Sequence, residues 1–169
     1  MTHVIRVHEY GGPEVLKWEE ADVGEPGPGE IRIKQIAIGL NFIDAYMRSG
    51  LYPQDELPFV PGTEGAGVIT ALGEGVRALK VGRRVAYAGH MGGYAEERLI
   101  AADRVERIPD GVSDGTAAAL MLKGMTAQYL LRQIFRVGPK TTLLFHAAAG
   151  GVGTIACQWA SSLGATVIG

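Results

Sequence analysis

Cysteine is almost missing from this sequence. Cys157 is the single one in 169 residues, which excludes an internal disulfide and any zinc site built from several cysteines. Histidine is sparse too: His3, His8, His90 and His146 are scattered, and none forms the HExxH-type pair that a helix would present to a metal. The expectation is a protein without a metal site. Neither sign of charge is in excess. With 16 basic and 18 acidic residues the formal net charge is −2, so there is no basic footprint for nucleic acid. No apolar run approaches the length of a membrane span. The start, Met1-Thr2-His3-Val4-Ile5-Arg6, lacks the charged-then-apolar order of a secretory signal. These absences together imply a cytoplasmic protein with no membrane or nucleic-acid partner. Internal repeats and low-complexity stretches are missing as well.

What is present is an ordinary globular balance, 47% hydrophobic and 20% charged, with a high glycine content of 25 residues. The length suits one domain, or one and a part. Up to Pro109-Asp110-Gly111 the chain reads mainly as short strands cut by Gly and Pro. Val4 to Val7 is a short β-rich run, and Pro26-Gly27-Pro28-Gly29 is a turn signal. Beyond it Ile31, Ile33 and Gln35 alternate with Arg32, Lys34 and Ile36, the pattern of a half-buried strand. Asn41 to Ser49 reads as a helix, with Asn41 as its cap and Gly50 as its left-handed stop. Val60-Pro61-Gly62 breaks the chain, and Gly65 to Leu72 and Arg84 to Ala88 are further strand candidates. Many short strands with regular turns suggest a small barrel or sandwich.

The character changes after residue 111. Ser113 can cap a helix running through Met121. Thr126 to Phe135 reads as a second helix, stopped near Gly138-Pro139. Thr141 to His146 is an apolar β-run, in which His146 is expected to pack. Then comes Gly150-Gly151-Val152-Gly153 and a helix with Val152, Ile155, Ala156, Trp159, Ala160 and Leu163 at spacings of three and four. Cys157 and Trp159 read as core residues of that helix. Gly164 ends it and Ala165 to Ile168 begins another strand. Strand, glycine turn, helix and strand make one βαβ unit.

A pyrophosphate needs backbone N–H donors with no side chains in the way, and a helix start after a glycine turn supplies both. The positions of the G-x-G-x-x-G fingerprint fall here on Ala148, Gly150 and Gly153, the first glycine being replaced by alanine. Gly150 and Gly151 allow close approach, and Gly153 lets the helix pack on the strand. The bland alternative is a crossover turn that merely uses glycine. The acidic residue that reads the ribose is expected about 20 residues further on, past Gly169, so the preference between cofactors is not legible. The rest of the doubly wound sheet is likewise expected to lie outside these residues.

With these residues in view, the chain resembles the zinc-free quinone oxidoreductases of the medium-chain dehydrogenase/reductase superfamily, the zeta-crystallin-like family. The resemblance rests on Gly11-Gly12-Pro13-Glu14-Val15-Leu16, Asn41-Phe42-Ile43-Asp44, Arg48-Ser49-Gly50-Leu51-Tyr52-Pro53 and Pro61-Gly62-Thr63-Glu64-Gly65. It extends through Met121-Leu122-Lys123-Gly124-Met125-Thr126-Ala127 and His146-Ala147-Ala148-Ala149-Gly150-Gly151-Val152-Gly153. It implies a mixed α/β protein: a GroES-like β-rich catalytic domain over residues 1–123, then the first part of a Rossmann doubly wound α/β domain over residues 124–169. The 169 residues would form the N-terminal half of a longer enzyme and would not be a competent enzyme alone. Zinc-dependent relatives carry a cysteine near Asn41 and a histidine near Thr63; this chain has neither. The family usually has Asp where Arg83 stands, a lost turn carboxylate with local consequences.

The resemblance further implies NADPH as hydride donor, a small-molecule quinone as acceptor, and a homodimer. It places Asn41, Tyr46 and Tyr52 at the catalytic site. Asn41, Tyr46, Thr63, Thr126, Ala149, Gly150, Gly151, Val152 and Gly153 would bind the cofactor. Read as residues alone, Asn41 is as well a helix cap, Tyr46 and Tyr52 half-buried aromatics, and Thr126 a helix hydroxyl. Asp44 either orients its neighbours or is a solvated acid, and Lys123 is as well structural. Two alternatives stand beside the quinone reading: a zinc-free reductase of enones or enoyl thioesters, and a noncatalytic fragment.

Overall fold

The computed structural model describes all 169 residues. They form two compact units, Met1–Ala119 and Leu120–Gly169, and the division falls inside one long helix. The boundary expected from the resemblance, after residue 123, lies a turn further along the same helix.

The first unit is built on a five-stranded antiparallel sheet. Its strands are β3 (Glu30–Ile38), β4 (Glu64–Leu72), β5 (Arg84–Ala88), β6 (Glu97–Ala101) and β7 (Glu106–Arg107), in the spatial order β6-β3-β4-β5-β7. A hairpin of β1 (Thr2–Val7) and β2 (Leu16–Ala21) stands beside it as a separate two-stranded sheet. The alternation read in β3 is the observed one: Ile31 and Ile33 are fully buried, and Ile36 is exposed. Ile31, Ile33, Ile69, Val85, Tyr87 and Ile100 from four strands fill the core with Leu79 and Val105. Such close-packed aliphatic burial is the main stabilising term of a small β domain. The turn at Arg83 is held by its backbone, Arg83 N–H to Lys80 O and Ile69 N–H to Arg83 O at 3.1 and 3.0 Å, so it does not depend on a side-chain carboxylate.

The short helix α1 (Phe42–Arg48) starts at Asn41 and ends before Gly50, which has φ +80°. The second helix departs from expectation. One continuous α2 (Asp114–Tyr129) replaces the two helices read from the sequence, and it closes in a π-turn, Leu130–Ile134. Gly124 sits in its interior, where a glycine weakens a helix by about 1 kcal/mol without having to break it. Ala117, Ala118 and Ala127 are buried along its length. Ser113 Oγ accepts the Thr116 N–H at 3.1 Å, the N-cap bond expected of it. Arg84 Nε donates to Asp114 Oδ1 at 2.9 Å and ties the start of α2 to β5.

The second unit holds one parallel βαβ element: β8 (Thr142–Leu144), α3 (Gly151–Ser162) and β9 (Thr166–Ile168). The helix stripe packs as its spacing predicts. Ala156 and Ala160 are buried together with Ala127, Leu131 and Val137, and Val152, Ile155, Trp159 and Leu163 pack against them. β8 is shorter than the run Thr141–His146, because the chain turns at Ala147, whose φ is +55°. His146 therefore lies outside the strand and is exposed rather than packed. No helix is long and apolar enough to cross a membrane.

Candidate functional site

Two clusters carry the candidate residues, one in each unit. The first gathers around α1. Strand β3 ends at Ile38, and Gly39 and Leu40 lead into Asn41. Asn41 is held at two points. Its side-chain Nδ2 donates to Glu64 Oε1 at 2.8 Å, and its backbone N–H donates to Asp44 Oδ2 at 2.9 Å. The second bond is the reciprocal half of a capping box and fixes the start of the helix. Glu64 is fully buried on β4, and Asp44 is 3% exposed. The reading of Asp44 as a solvated acid is therefore wrong: the side chain is buried and bonded to its neighbours. A buried carboxylate persists only when donors surround it. Asp44 has three: Asn41 N–H, the Tyr94 hydroxyl at 3.0 Å on Oδ2, and the Thr63 hydroxyl at 3.4 Å on Oδ1.

The electrostatics follow from this burial. Desolvation is the main reason that the Asp44 carboxyl lies above the ordinary aspartate range. The bonds from Asn41, Tyr94 and Thr63 oppose that shift, and the charge of Glu64 adds to it. The Tyr94 hydroxyl is likewise pushed well above its usual value, first by burial and then by the negative charge of Asp44. It stays protonated and donates.

Thr63 is 5% exposed, with its hydroxyl turned to Asp44. It backs the cluster from beneath. Tyr46 and Tyr52 stand on the open side. Their rings meet edge to face at 5.5 Å, and they are 38% and 51% exposed. Phe42 continues this aromatic surface, 6.4 Å from the Tyr46 ring. Glu64 and Tyr94 were not singled out from the sequence. A charged residue opening an otherwise apolar strand was a usable signal for Glu64; Tyr94 gave none. No group of three or more His, Cys, Asp or Glu side chains stands together in a way that could hold a metal ion.

The second cluster is the turn from Ala147 to Gly153. Gly150 caps α3, and its N–H is taken by Ala147 O at 2.8 Å. The N–H groups of Gly151, Val152 and Gly153 belong to the first helical turn, which offers them no intrahelical acceptor. A methyl group built on Gly150 would meet Ala147, its O at 3.1 Å and its Cβ at 3.9 Å, and one on Gly151 would meet the aliphatic stem of Lys123 at 2.9 Å. Gly153 is different: its position presses on the backbone of Ala147 and Ala148. The turn thus presents donors at the positive end of a 12-residue helix with little steric cover. These residues fit a dinucleotide's pyrophosphate. Ala149 is exposed beside them. Thr126 is placed on α2, with its hydroxyl donating to Leu122 O at 2.8 Å. A shallow cleft of about 710 Å³ opens along Ala148, Cys157, Gln158 and Val167.

Residues 27–131 match the family described as alcohol dehydrogenase GroES-like domain. The chain is 53% identical over 170 aligned residues to a quinone oxidoreductase of Pseudomonas aeruginosa, covering 100% of this chain and 52% of that protein. It is 47% identical to a 2-haloacrylate reductase of Burkholderia sp, covering 96% of this chain and 51% of that protein. Among solved structures, an Escherichia coli quinone oxidoreductase complexed with NADPH superposes with a TM-score of 0.95 at 49% identity, over 99% of this chain and 52% of that one. The chain spans about half the length of the curated relatives it matches.

Proposed function

Because this chain belongs to the alcohol dehydrogenase GroES-like domain family, within the medium-chain dehydrogenase/reductase superfamily, we propose that the complete protein reduces a quinone with NADPH, without a catalytic metal. The observation that supports this most is the similarity, over 99% of this chain and 52% of the other, to a quinone oxidoreductase complexed with NADPH. Residues 1–123 are read as the catalytic domain and 124–169 as the first part of the dinucleotide-binding domain. A homodimer in the cytoplasm belongs to the same reading.

In this reading Ala149, Gly150, Gly151, Val152 and Gly153 hold the pyrophosphate, and Asn41, Tyr46, Thr63 and Thr126 border the nicotinamide end. The bound cofactor would supply the hydride. The protein's part is to hold the acceptor in line and keep water from competing. Asn41, fixed through its amide to Glu64 and its N–H to Asp44, gives the acceptor a preorganised edge. Tyr46 and Tyr52, packed edge to face and both exposed, present aromatic surface to the acceptor. Quinone reduction takes one hydride and one proton, and the proton reaches the new oxyanion from solvent or from one of the two tyrosine hydroxyls.

The similarity to a 2-haloacrylate reductase favours a second reading, in which the same site reduces an activated alkene, an enone or enoyl thioester among them. One experiment separates the two. The full-length protein is supplied with NADPH and a panel of quinones, enones and 2-haloacrylates, and nicotinamide oxidation is followed. Turnover confined to quinones supports the first reading, and turnover confined to alkenes supports the second. No oxidation with any acceptor would refute both.

A further inference from the structure

Tyr94 has no role in the site as read from the sequence, yet three features of it point to one. Its hydroxyl donates to Asp44 Oδ2 at 3.0 Å, the same oxygen that accepts the Asn41 N–H at 2.9 Å. Its ring fills the place that a side chain at position 62 would need: a Cβ on Gly62, which has φ +91°, would lie 2.8 Å from Tyr94 Cε1 and closer to Cδ1. Its backbone is tied on both sides, N–H to Pro61 O at 2.8 Å and carbonyl to Ile5 N–H at 2.8 Å. A ring kept only for packing would serve without a hydroxyl. This hydroxyl is aimed at a buried carboxylate.

We propose that Tyr94 is a positioning residue: it locks the orientation of the Asp44 carboxylate, and through it holds Asn41, on the shared oxygen, and Thr63, on the other oxygen, in place at the acceptor site. The proposal rests on the reading that Asn41 borders that site. The physical argument is one of shared bonds. Asp44 can rotate about its side-chain torsions only if it gives up a donor. With Tyr94 in place, one oxygen is held by two donors from different segments, and the other oxygen is left to Thr63. Without the hydroxyl, Oδ2 keeps only the local N–H of the helix start. The carboxylate then loses its link to the chain at Tyr94 and keeps Thr63 as its one side-chain donor from outside the helix start. Bonds to a charged group are the stronger kind, so the loss is felt at the atoms that share it. The charged and titratable groups around the pair are Glu64 on β4, and Arg48 on α1, whose charge favours the ionised form of Tyr94.

The test is Tyr94→Phe in the full-length protein, which keeps the ring against Gly62 and removes only the hydroxyl. The expected result is a kcat about tenfold lower, in line with a lost bond to a charged group, with the KM for NADPH little changed. The acid limb of the pH profile should move to higher pH, because Asp44 loses a donor that favours its charged form. A purely structural role would lower thermal stability and leave that limb where it was. Wild-type kcat and an unmoved acid limb in the variant would overturn the proposal. If the wild-type protein fails to oxidise NADPH with every acceptor in the panel, the functional reading falls, and the positioning claim is decided by NMR. The side-chain amide resonances of Asn41 should follow the titration of Asp44, and should shift in Tyr94→Phe. Asn41 amide signals that ignore both overturn the claim.

Discussion

The sharpest prediction concerns Gly153, where the turn meets the body of α3. The three glycines of the turn look alike in sequence, but their surroundings separate them. A Cβ on Gly153 would lie 2.7 Å from both the Cα and the carbonyl oxygen of Ala148, and nearer still to Ala147 O. All three obstacles are backbone, so no side-chain rotation relieves them. Gly153 is also buried. Gly153→Ala must therefore displace either the turn or the helix start. Forcing a methyl group into a close-packed position costs typically about 1–3 kcal/mol, and the rigid obstacles place this case at the upper end, about 3 kcal/mol. At roughly 2–4 °C per kcal/mol for a domain of this size, the melting temperature should fall by about 6–12 °C. Gly150→Ala meets one atom at 3.1 Å, and Gly151→Ala meets only the flexible stem of Lys123. Both should stay within about 1 kcal/mol of wild type. Those two variants should instead lose NADPH affinity, by covering the donors. The assay is a thermal melt and an NADPH titration on all three variants of the full-length protein. Equal stability of Gly153→Ala and Gly150→Ala would refute the packing argument. Unchanged affinity in a folded Gly150→Ala or Gly151→Ala would refute the pyrophosphate assignment.

Tyr46→Leu removes a 38% exposed ring, so stability should change by less than about 1.5 kcal/mol, the scale of its edge contact with Tyr52, while acceptor turnover drops about tenfold or more; equal losses of both would favour a structural role. Prolonged chelation should leave the turnover of the full-length protein unchanged, and restoration of a lost activity by stoichiometric zinc would contradict the metal-free reading. The raised Asp44 value means that the native state keeps this proton to higher pH than the unfolded chain does. The Asp44 contribution to stability is therefore greatest below the ordinary aspartate value, declines as pH rises to the raised value, and is level above it. Urea unfolding of wild type and Asp44→Asn across that window should show the component in wild type alone. Finally, Gly39→Ala would drive a Cβ into the buried Glu64 side chain, 2.5 Å from its carboxyl carbon; it should cost about 1–3 kcal/mol and reduce turnover, and a variant matching wild type in both would remove Glu64 from the account.

Much of the fold was legible because its signals are local. The alternation in β3, the Asn41 and Gly50 boundaries of α1 and the stripe of α3 each depend on a few adjacent residues, and each is observed. β2 and β6 were not read as strands. Their sequences, LKWEEA and ERLIA, mix charge into short segments, as edge strands do to discourage pairing with other chains. The two helices read through Met121 and from Thr126 are one, because alanines buried on either side of Gly124 hold the chain helical across it. The site was legible only in part. Asn41, Tyr46, Tyr52 and Thr63 came from a resemblance, and no period in the sequence marks them. Asp44 could not be told from a solvated acid, because two of its donors, Thr63 and Tyr94, lie 19 and 50 residues away. Glu64 and Tyr94 gain their roles only when β4 and the segment at Gly93 meet α1.

The distance of those partners explains how so short a helix can hold a precise residue. A seven-residue helix is far below the length at which helices persist on their own, so α1 cannot fix Asn41 through its own hydrogen bonds. The order comes from the sheet. Glu64 opens β4, which is paired on one side with β3 and on the other with β5, so its backbone moves only if the center of the sheet moves. Asn41 borrows that rigidity through the 2.8 Å bond to Glu64. The second restraint, Asp44, is anchored to Thr63 next to Glu64 in the chain and to Tyr94 beyond it. Both carboxylates would be costly to bury alone. Here the donors that offset this cost come from the segments that must be held together, so the groups that satisfy the charges also define the site. Preorganisation of this kind limits the reorganisation a bound acceptor would require, and its source is the antiparallel sheet, not the helix on which the residue sits.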